Sequence, residues 1–192
     1  MTPEFLYDFN SPYAYLAAAR IDEVIANARW QPIAFAFLLV AQQREPWSFP
    51  GKPERQPGIE ECERRARERG LPPMTWPEGW PQQSYTIEPL RVALVADEHG
   101  LLREYSMAAY ARNFVTGTGL QGDAPLEVAE EVGLDRAAVE AGLPAAKERL
   151  RAATDAAIAA GVHGVPTVVV GDDKFWGDDQ LEAAAAAAGE GT

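Results

Sequence analysis

Three observations predict an α/β fold whose sheet is interrupted by a long helical segment. Apolar runs over 5–9 and 30–40 flank a helical pattern over 12–27, which predicts a β–α–β unit. The periodicity over 84–161 is helical throughout, and glycines stand where helices are expected to end. Residues 167–170 and 174–176 then predict a β-hairpin, and a last helix starts near Asp178 or Asp179.

The N-terminal elements have recognisable local signals. Ser11 is a good N-cap for the first helix, and Pro12 suits the first helical position because it lacks an N–H and has a fixed φ. Residues 30–40 have the apolar density of a buried strand. Residues 42–83 contain eight prolines, and only 59–69 has a helical pattern there. This segment is expected to be a lid, a binding loop or a wrap over the core.

The helical segment is predicted to hold five helices, over 85–99, 103–116, 125–132, 135–141 and 144–160. The order is therefore β–α–β, helical insertion, β–β–α, which is that of a thioredoxin-like sheet split by an all-helical insertion. We place the thioredoxin-like domain at 1–40 and 162–192, and the Pro-rich loop with the helical insertion domain at 41–161.

Composition excludes several classes of function. The net charge of −12 argues against nucleic acid as a partner, because phosphates require basic patches, and an anionic substrate would need local Arg or Lys. The one cysteine, Cys62, excludes an internal disulfide, and we expect it to be an exposed thiol on a charged helix. With only His99 and His163, no metal site is expected. Without a signal sequence or an apolar run of membrane length, a cytoplasmic protein without a membrane partner is expected.

The first candidate site is the junction of the first strand and helix, at Asn10-Ser11-Pro12-Tyr13-Ala14. A helix N-terminus carries partial positive charge and free N–H groups, so it stabilises an anion. In redox proteins of thioredoxin type the same turn presents Cys-Pro-x-Cys, and Ser11 and Ala14 in those places exclude dithiol exchange. What remains is a pocket for the thiolate of another molecule. The alternative is that Ser11 only caps the helix.

The second candidate site is Gly164-Val165-Pro166-Thr167, directly before a predicted strand. In a thioredoxin-like fold a cis X–Pro bond is expected here, with the Val165 N–H and C=O directed into the pocket. An extended peptide can pair with such groups as an extra strand. The alternative is that Pro166 only sets the entry of the strand.

The third candidate site is the start of the last helix, at Asp178 and Asp179. Its N–H groups and carboxylates can hold a zwitterion, such as the γ-glutamyl end of glutathione. The alternative is a capping box formed by Asp179 and Glu182.

Three motifs together resemble the 2-hydroxychromene-2-carboxylate isomerases, relatives of the kappa-class glutathione transferases and of DsbA-type oxidoreductases. They are YDFxSPYxYL at 7–16, GVxGVPT at 161–167 and FWGxD at 175–179. The resemblance implies bound glutathione and a homodimer. The catalytic serine of the family corresponds to Ser11, and the glutathione-binding positions correspond to Ser11, Val165 with Pro166, Asp178 and Asp179.

The resemblance also implies the chemistry, which belongs to aromatic catabolism. The glutathione thiolate adds to an unsaturated aromatic keto acid, the adduct rotates about the former double bond, and the thiol leaves unchanged. Ser11 would donate a hydrogen bond to the sulfur. Tyr13, Lys52 and Arg91 are the candidates for substrate binding, with Lys52 in a segment where the family often has Gly-Asn-x-Pro-Pro. A kappa-class-like glutathione transferase or peroxidase, and a non-catalytic glutathione-binding protein, are the alternatives.

Overall fold

The computed structural model describes residues 2–189 and contains a four-stranded mixed sheet. Its strands are β1 Glu4–Tyr7, β2 Arg29–Pro32, β3 Thr167–Val170 and β4 Asp173–Trp176, in the order β2-β1-β3-β4. β1 runs parallel to β2 and antiparallel to β3, and β3 and β4 form the predicted hairpin. Met1 and residues 190–192, which the predicted thioredoxin-like domain includes, lie outside the described residues.

Helices occupy most of the remaining chain. They are α1 Pro12–Ala18, α2 Ile21–Val24, α3 Phe35–Ala41, α4 Arg55–Glu68, α5 Ile87–Glu98, α6 Leu102–Phe114, α7 Ala124–Glu131, α8 Arg136–Ala159 and α9 Leu181–Ala188. Within residues 2–189, none of them has the length and apolar character needed to span a bilayer.

The helices predicted over 135–141 and 144–160 are one continuous helix, α8, with Pro144 inside it. Pro144 removes one backbone hydrogen bond, but α8 packs along α5 and that packing supports the helix on both sides. The approach is close at Gly142, where a Cβ would lie 2.9 Å from Val95 Cγ2.

The prediction of a buried strand over 30–40 is wrong beyond Pro32, because the chain turns into α3 at Phe35. Leu38 and Leu39 are buried while Phe37 and Val40 are exposed, which is the pattern of a helix with one face on the core. Apolar density alone does not distinguish the two structures.

The helix predicted over 12–27 is also divided, into α1 and α2. Arg20 stands between them and pairs with Glu182 of α9. Ile21 and Ile25 are fully buried after the break. The division therefore places a second apolar surface on the core and leaves α1 only seven residues long.

An aromatic cluster joins the helical insertion to β1 and holds the β1–α1 junction. Tyr7, Phe9 and Tyr110 are fully buried, and the Phe9 and Tyr110 rings meet edge to face at 5.1 Å. Tyr110 donates a hydrogen bond to the backbone oxygen of Asp8, and Asn113 donates one of 2.9 Å to that of Phe9. α6 therefore fixes the backbone that leads to Ser11.

Candidate functional site

A cavity of about 580 Å³ opens at the β1–α1 junction, beside the loop that precedes β3. Its volume is within the range of small-molecule sites. Apolar and aromatic side chains form its walls: Tyr13, Phe35, Leu39, Trp47 and Trp176. Charged side chains also line it: Arg44, Glu45, Lys52, Glu54, Arg65, Asp178 and Asp179. Ser11 and Val165 lie in the same cavity as Asp178 and Asp179, so all three predicted sites come together there.

Ser11 caps α1 and also contacts the loop before β3. Its Oγ accepts the Ala14 N–H at 3.2 Å and donates to the Val165 carbonyl oxygen at 3.2 Å. The contact with Val165 is long for a hydroxyl donor, whose hydrogen bonds to oxygen centre near about 2.7–2.8 Å. The hydroxyl can therefore turn to another acceptor at small cost.

Asp8 organises the junction from behind, and sequence reasoning gave it no role. Its Oδ1 accepts the Asn10 N–H at 2.9 Å and the Thr86 hydroxyl at 2.8 Å, and its Oδ2 accepts the Phe35 N–H at 2.9 Å. Burial raises the pKa of Asp8 from its usual value, although these three hydrogen bonds oppose the shift. An acidic residue within the apolar run Tyr7-Asp8-Phe9 was the available signal.

Asn10 lines the cavity next to Ser11 and is held by the segment around Pro81. Its Nδ2 donates to the Pro81 carbonyl oxygen at 3.1 Å, and the Trp80 indole donates to the Asn10 carbonyl oxygen at 3.1 Å. The Asn10 Oδ1 is buried without a partner among the described residues. A buried acceptor without a partner marks a place where a ligand donor is favourable.

The peptide bond between Val165 and Pro166 is cis, which confirms that prediction. The Val165 carbonyl meets Ser11, whereas Pro166 is buried behind the cavity and its carbonyl accepts the Gly177 N–H at 3.0 Å. Gly177 has a φ of +121°, and a Cβ there would lie 2.5 Å from Asp179 Oδ1. Glycine at 177 therefore allows the carboxylates at 178 and 179 to sit beside the loop of Val165.

The two carboxylates after Gly177 have different environments. Asp178 is 1% exposed, and its two oxygens lie 2.6 Å from Arg65 Nη1 and 2.6 Å from Arg69 Nη2. The side chain of Asp179 is 57% exposed, and its nearest cation, Arg65, is 3.9 Å away. Asp179 is therefore the carboxylate that remains accessible to a ligand, while Asp178 joins the loop to α4.

The capping-box alternative for this segment is wrong. The N-cap of α9 is Gln180, no side chain caps the helix, and Glu182 pairs with Arg20 instead. α9 begins at Leu181, one residue too late for Asp179 to be its N-cap.

Comparison with known proteins agrees with this fold. Residues 4–188 match the family model of the DSBA-like thioredoxin domain. The chain is 30% identical to a 2-hydroxychromene-2-carboxylate isomerase of Pseudomonas putida, across 94% of this chain and 91% of that one. It belongs to the 2-hydroxychromene-2-carboxylate isomerase family.

Two further comparisons support the assignment. An isomerase of the same name from Sphingobium xenophagum is 28% identical, across 94% of each chain. A solved structure of 2-hydroxychromene-2-carboxylate isomerase superposes with a TM-score of 0.81 at 27% identity, and the match covers 98% of this chain and 95% of that one. The resemblance and the fold class predicted from the sequence, a DsbA-like thioredoxin fold with a helical insertion, are thereby confirmed.

The structure brings two of the three predicted substrate-binding residues of this family member to the cavity. Tyr13 is half-buried there, with its ring 5.7 Å from that of Trp47. Lys52 lines the cavity but pairs with Glu45 at 2.7 Å, and that contact raises the Lys52 pKa. Arg91 lies on α5 and does not line the cavity.

Cys62 is not the exposed thiol that the charged sequence of α4 indicated. It is fully buried under Tyr13, and burial raises the pKa of its thiol to about 12, although a hydrogen bond with Tyr13 opposes the shift. α4 presents this face to the core and its charged residues elsewhere, so one buried stripe was hidden within a mostly charged segment.

Proposed function

We propose that this family member is a glutathione-dependent isomerase of the 2-hydroxychromene-2-carboxylate type, with an unsaturated aromatic keto acid as substrate. The observation that carries the proposal is the position of Ser11. Its hydroxyl lies in the cavity and contacts the Val165 carbonyl through a long hydrogen bond that a ligand can replace.

The residues around Ser11 fit glutathione. The Val165 carbonyl is an acceptor for the backbone N–H of a bound peptide, as in strand addition. The exposed Asp179 carboxylate is suited to an ammonium group, and the unpartnered Asn10 Oδ1 is suited to an N–H donor. In this proposal Asp178 does not contact glutathione and instead positions Asp179 through Arg65 and Arg69.

Bound glutathione would supply a thiolate that adds reversibly to the conjugated substrate and so allows rotation about the former double bond. Ser11 would turn its hydroxyl from Val165 and donate a hydrogen bond to the sulfur. A thiol with a pKa of about 8.5 is mostly protonated at pH 7, so this hydrogen bond increases the reactive fraction. The rings of Tyr13, Phe35 and Trp47 exclude water and offer an apolar surface to the aromatic part of the substrate.

The test is Ser11→Ala, with Ser84→Ala as the control, since Ser84 is also buried but does not line the cavity. We expect Ser11→Ala to raise the pKa of bound glutathione by about one unit, measured from thiolate absorbance against pH, and to lower kcat/KM about tenfold. Thermal unfolding checks that the loss of the cap, which costs about 1 kcal/mol, leaves the protein folded.

The same assays separate the proposal from its alternatives. An unchanged thiol pKa and unchanged turnover in Ser11→Ala would refute the catalytic role of Ser11. Stoichiometric consumption of glutathione would identify a kappa-class-like transferase or peroxidase, since an isomerase returns the thiol. Binding of glutathione without turnover of any unsaturated keto acid would identify a non-catalytic binding protein.

We also propose that the protein is a homodimer in the cytoplasm, where glutathione is kept reduced. Phe37 and Val40 support an interface between copies, because they are 55% and 74% exposed on one face of α3. Light scattering coupled to size exclusion tests this. We expect the wild-type protein to be a dimer and Phe37→Asp to dissociate it. A monomeric wild-type protein would refute the proposed dimer.

A further inference from the structure

Among the cations that line the cavity, Arg44 is distinguished by its lack of a carboxylate partner. Lys52 pairs with Glu45 at 2.7 Å, and Arg65 pairs with Asp178 at 2.6 Å. No carboxylate in the described part of the chain lies within ion-pair distance of Arg44, although its side chain is half-buried. Its charge is therefore available to a ligand.

Neutral acceptors hold the Arg44 guanidinium in place. Its Nε and Nη2 donate to Gln42 Oε1 at 2.8 and 2.5 Å, and Nη2 also donates to the His163 carbonyl oxygen. Gln42 in turn donates to the Val162 carbonyl oxygen at 2.7 Å. A guanidinium has five N–H donors, so this arrangement leaves the two on Nη1, which have no partner within residues 2–189.

Arg44 and Ser11 contact the same loop. Arg44 meets the His163 carbonyl and Ser11 meets the Val165 carbonyl, two residues further along. Two residues of extended chain span at most about 7 Å. A carboxylate on a small molecule whose reacting end is at Ser11 is therefore within reach of the free Nη1 group.

We propose that Arg44 binds a ligand carboxylate in this cavity and thereby determines specificity for anions. The proposal rests on the function proposed above, which provides glutathione and a keto acid as ligands. The protein has a net charge of −12, so its overall field repels anions and a local, unneutralised cation must offset that repulsion. Lys52 and Arg65 meet this need less well because each would have to leave a carboxylate.

The test compares wild-type protein with Arg44→Gln, Arg44→Lys and the matched control Arg151→Gln. Arg151 lies on α8, is mostly exposed and does not line the cavity, so this control removes the same charge elsewhere. Calorimetric titration gives the Kd of glutathione and of its glycine monoethyl ester, and turnover gives KM for the keto acid. Thermal unfolding shows whether each variant is folded. The comparison of glutathione with its ester can also be made on the wild-type protein alone, where it does not depend on the folding of any variant.

A hydrogen bond to a charged group contributes more binding free energy than a neutral one. We therefore expect Arg44→Gln to raise the Kd or KM of the ligand tenfold or more, with partial recovery in Arg44→Lys. Weaker binding of glutathione but not of its ester assigns the contact to the glycine carboxylate. Equal weakening for both assigns it to the γ-glutamyl carboxylate. A raised KM for the keto acid alone assigns it to the substrate.

Two results would overturn the proposal. If wild-type protein is active and Arg44→Gln matches Arg151→Gln within twofold in every constant, Arg44 binds no carboxylate. If wild-type protein binds neither glutathione nor the keto acid, the proposed function is wrong and the proposed role of Arg44 is refuted as well.

Discussion

Replacing Asp178 by asparagine tests whether this residue positions the site or contacts the ligand. Asp178 is buried between Arg65 and Arg69 of the insertion and the loop that carries Asp179. Asparagine has nearly the same shape, but it removes the negative charge and turns an amide N–H₂ group toward one of the guanidinium groups. The variant therefore leaves two cations next to a neutral side chain.

The structure sets the size of the effect. Removing one partner of a buried ion pair costs about 3–5 kcal/mol, because the remaining charge is buried without compensation. Arg65 and Arg69 are each 22% exposed, and Arg65 keeps Glu61 at 2.7 Å, so water and that carboxylate reduce the cost. We expect a loss of about 2–3 kcal/mol, which for a chain of this length lowers Tm by roughly 5–10 °C.

The assay is thermal and urea unfolding of Asp178→Asn, with Asp179→Asn as the matched control. Asp179 is exposed and 3.9 Å from Arg65, so its variant should lose less than about 0.5 kcal/mol but bind glutathione more weakly. A double-mutant cycle with Arg69→Met should give a coupling free energy of at least about 1 kcal/mol. Equal stability of the two single variants, or no coupling, would refute the reasoning.

Three further predictions concern residues that contact the walls of the cavity. Gly58→Ala should weaken ligand binding and change tryptophan fluorescence, because the new Cβ overlaps the Trp47 ring. Helix propensity alone predicts a gain of about 1 kcal/mol in the free energy of unfolding, and that gain with unchanged fluorescence would contradict this. Cys62, with its pKa of about 12 and full burial, should not react with a thiol-specific disulfide reagent at pH 8 until urea unfolds the protein, and rapid labelling of native protein would contradict this. NMR titration should give His163 a pKa below 6.5, because burial and the charge of Arg44 disfavour its protonated form, and Arg44→Gln should raise it; a wild-type value at or above 6.5 would contradict this. Since the folded protein binds this proton less readily, the contribution of His163 to stability falls as pH drops below about 6.5.

The elements that local signals define were predictable from the sequence. The cap at Ser11 followed by Pro12 depends on neighbouring residues only, as do the hairpin turn at 171–172 and the glycines at helix ends. The position of Val165 before a cis proline followed from the order of the elements. These features place Ser11 and Val165 in one cavity.

What could not be predicted depends on contacts between distant residues. The start of α3 has no local signal, because its first N–H group, that of Phe35, is capped by Asp8, which is 27 residues away in the β1–α1 junction. Residues 35–40 contain no local capping residue, and their apolar run fits a buried strand and a buried helix equally well. The exposure of Phe37 and Val40, which decides between them, is a tertiary property.

The charged helix α4 shows why the site itself was only partly predictable. Its sequence indicates a solvated helix with pairs such as Glu61 and Arg65, and that pair does form. Yet Arg65 also reaches Asp178, 113 residues away, and Arg69 reaches the same carboxylate. Two adjacent aspartates that look equivalent in the sequence thereby acquire different roles. Asp178 pairs with two arginines and fixes the loop, and of the two only Asp179 presents a charge that a ligand can contact.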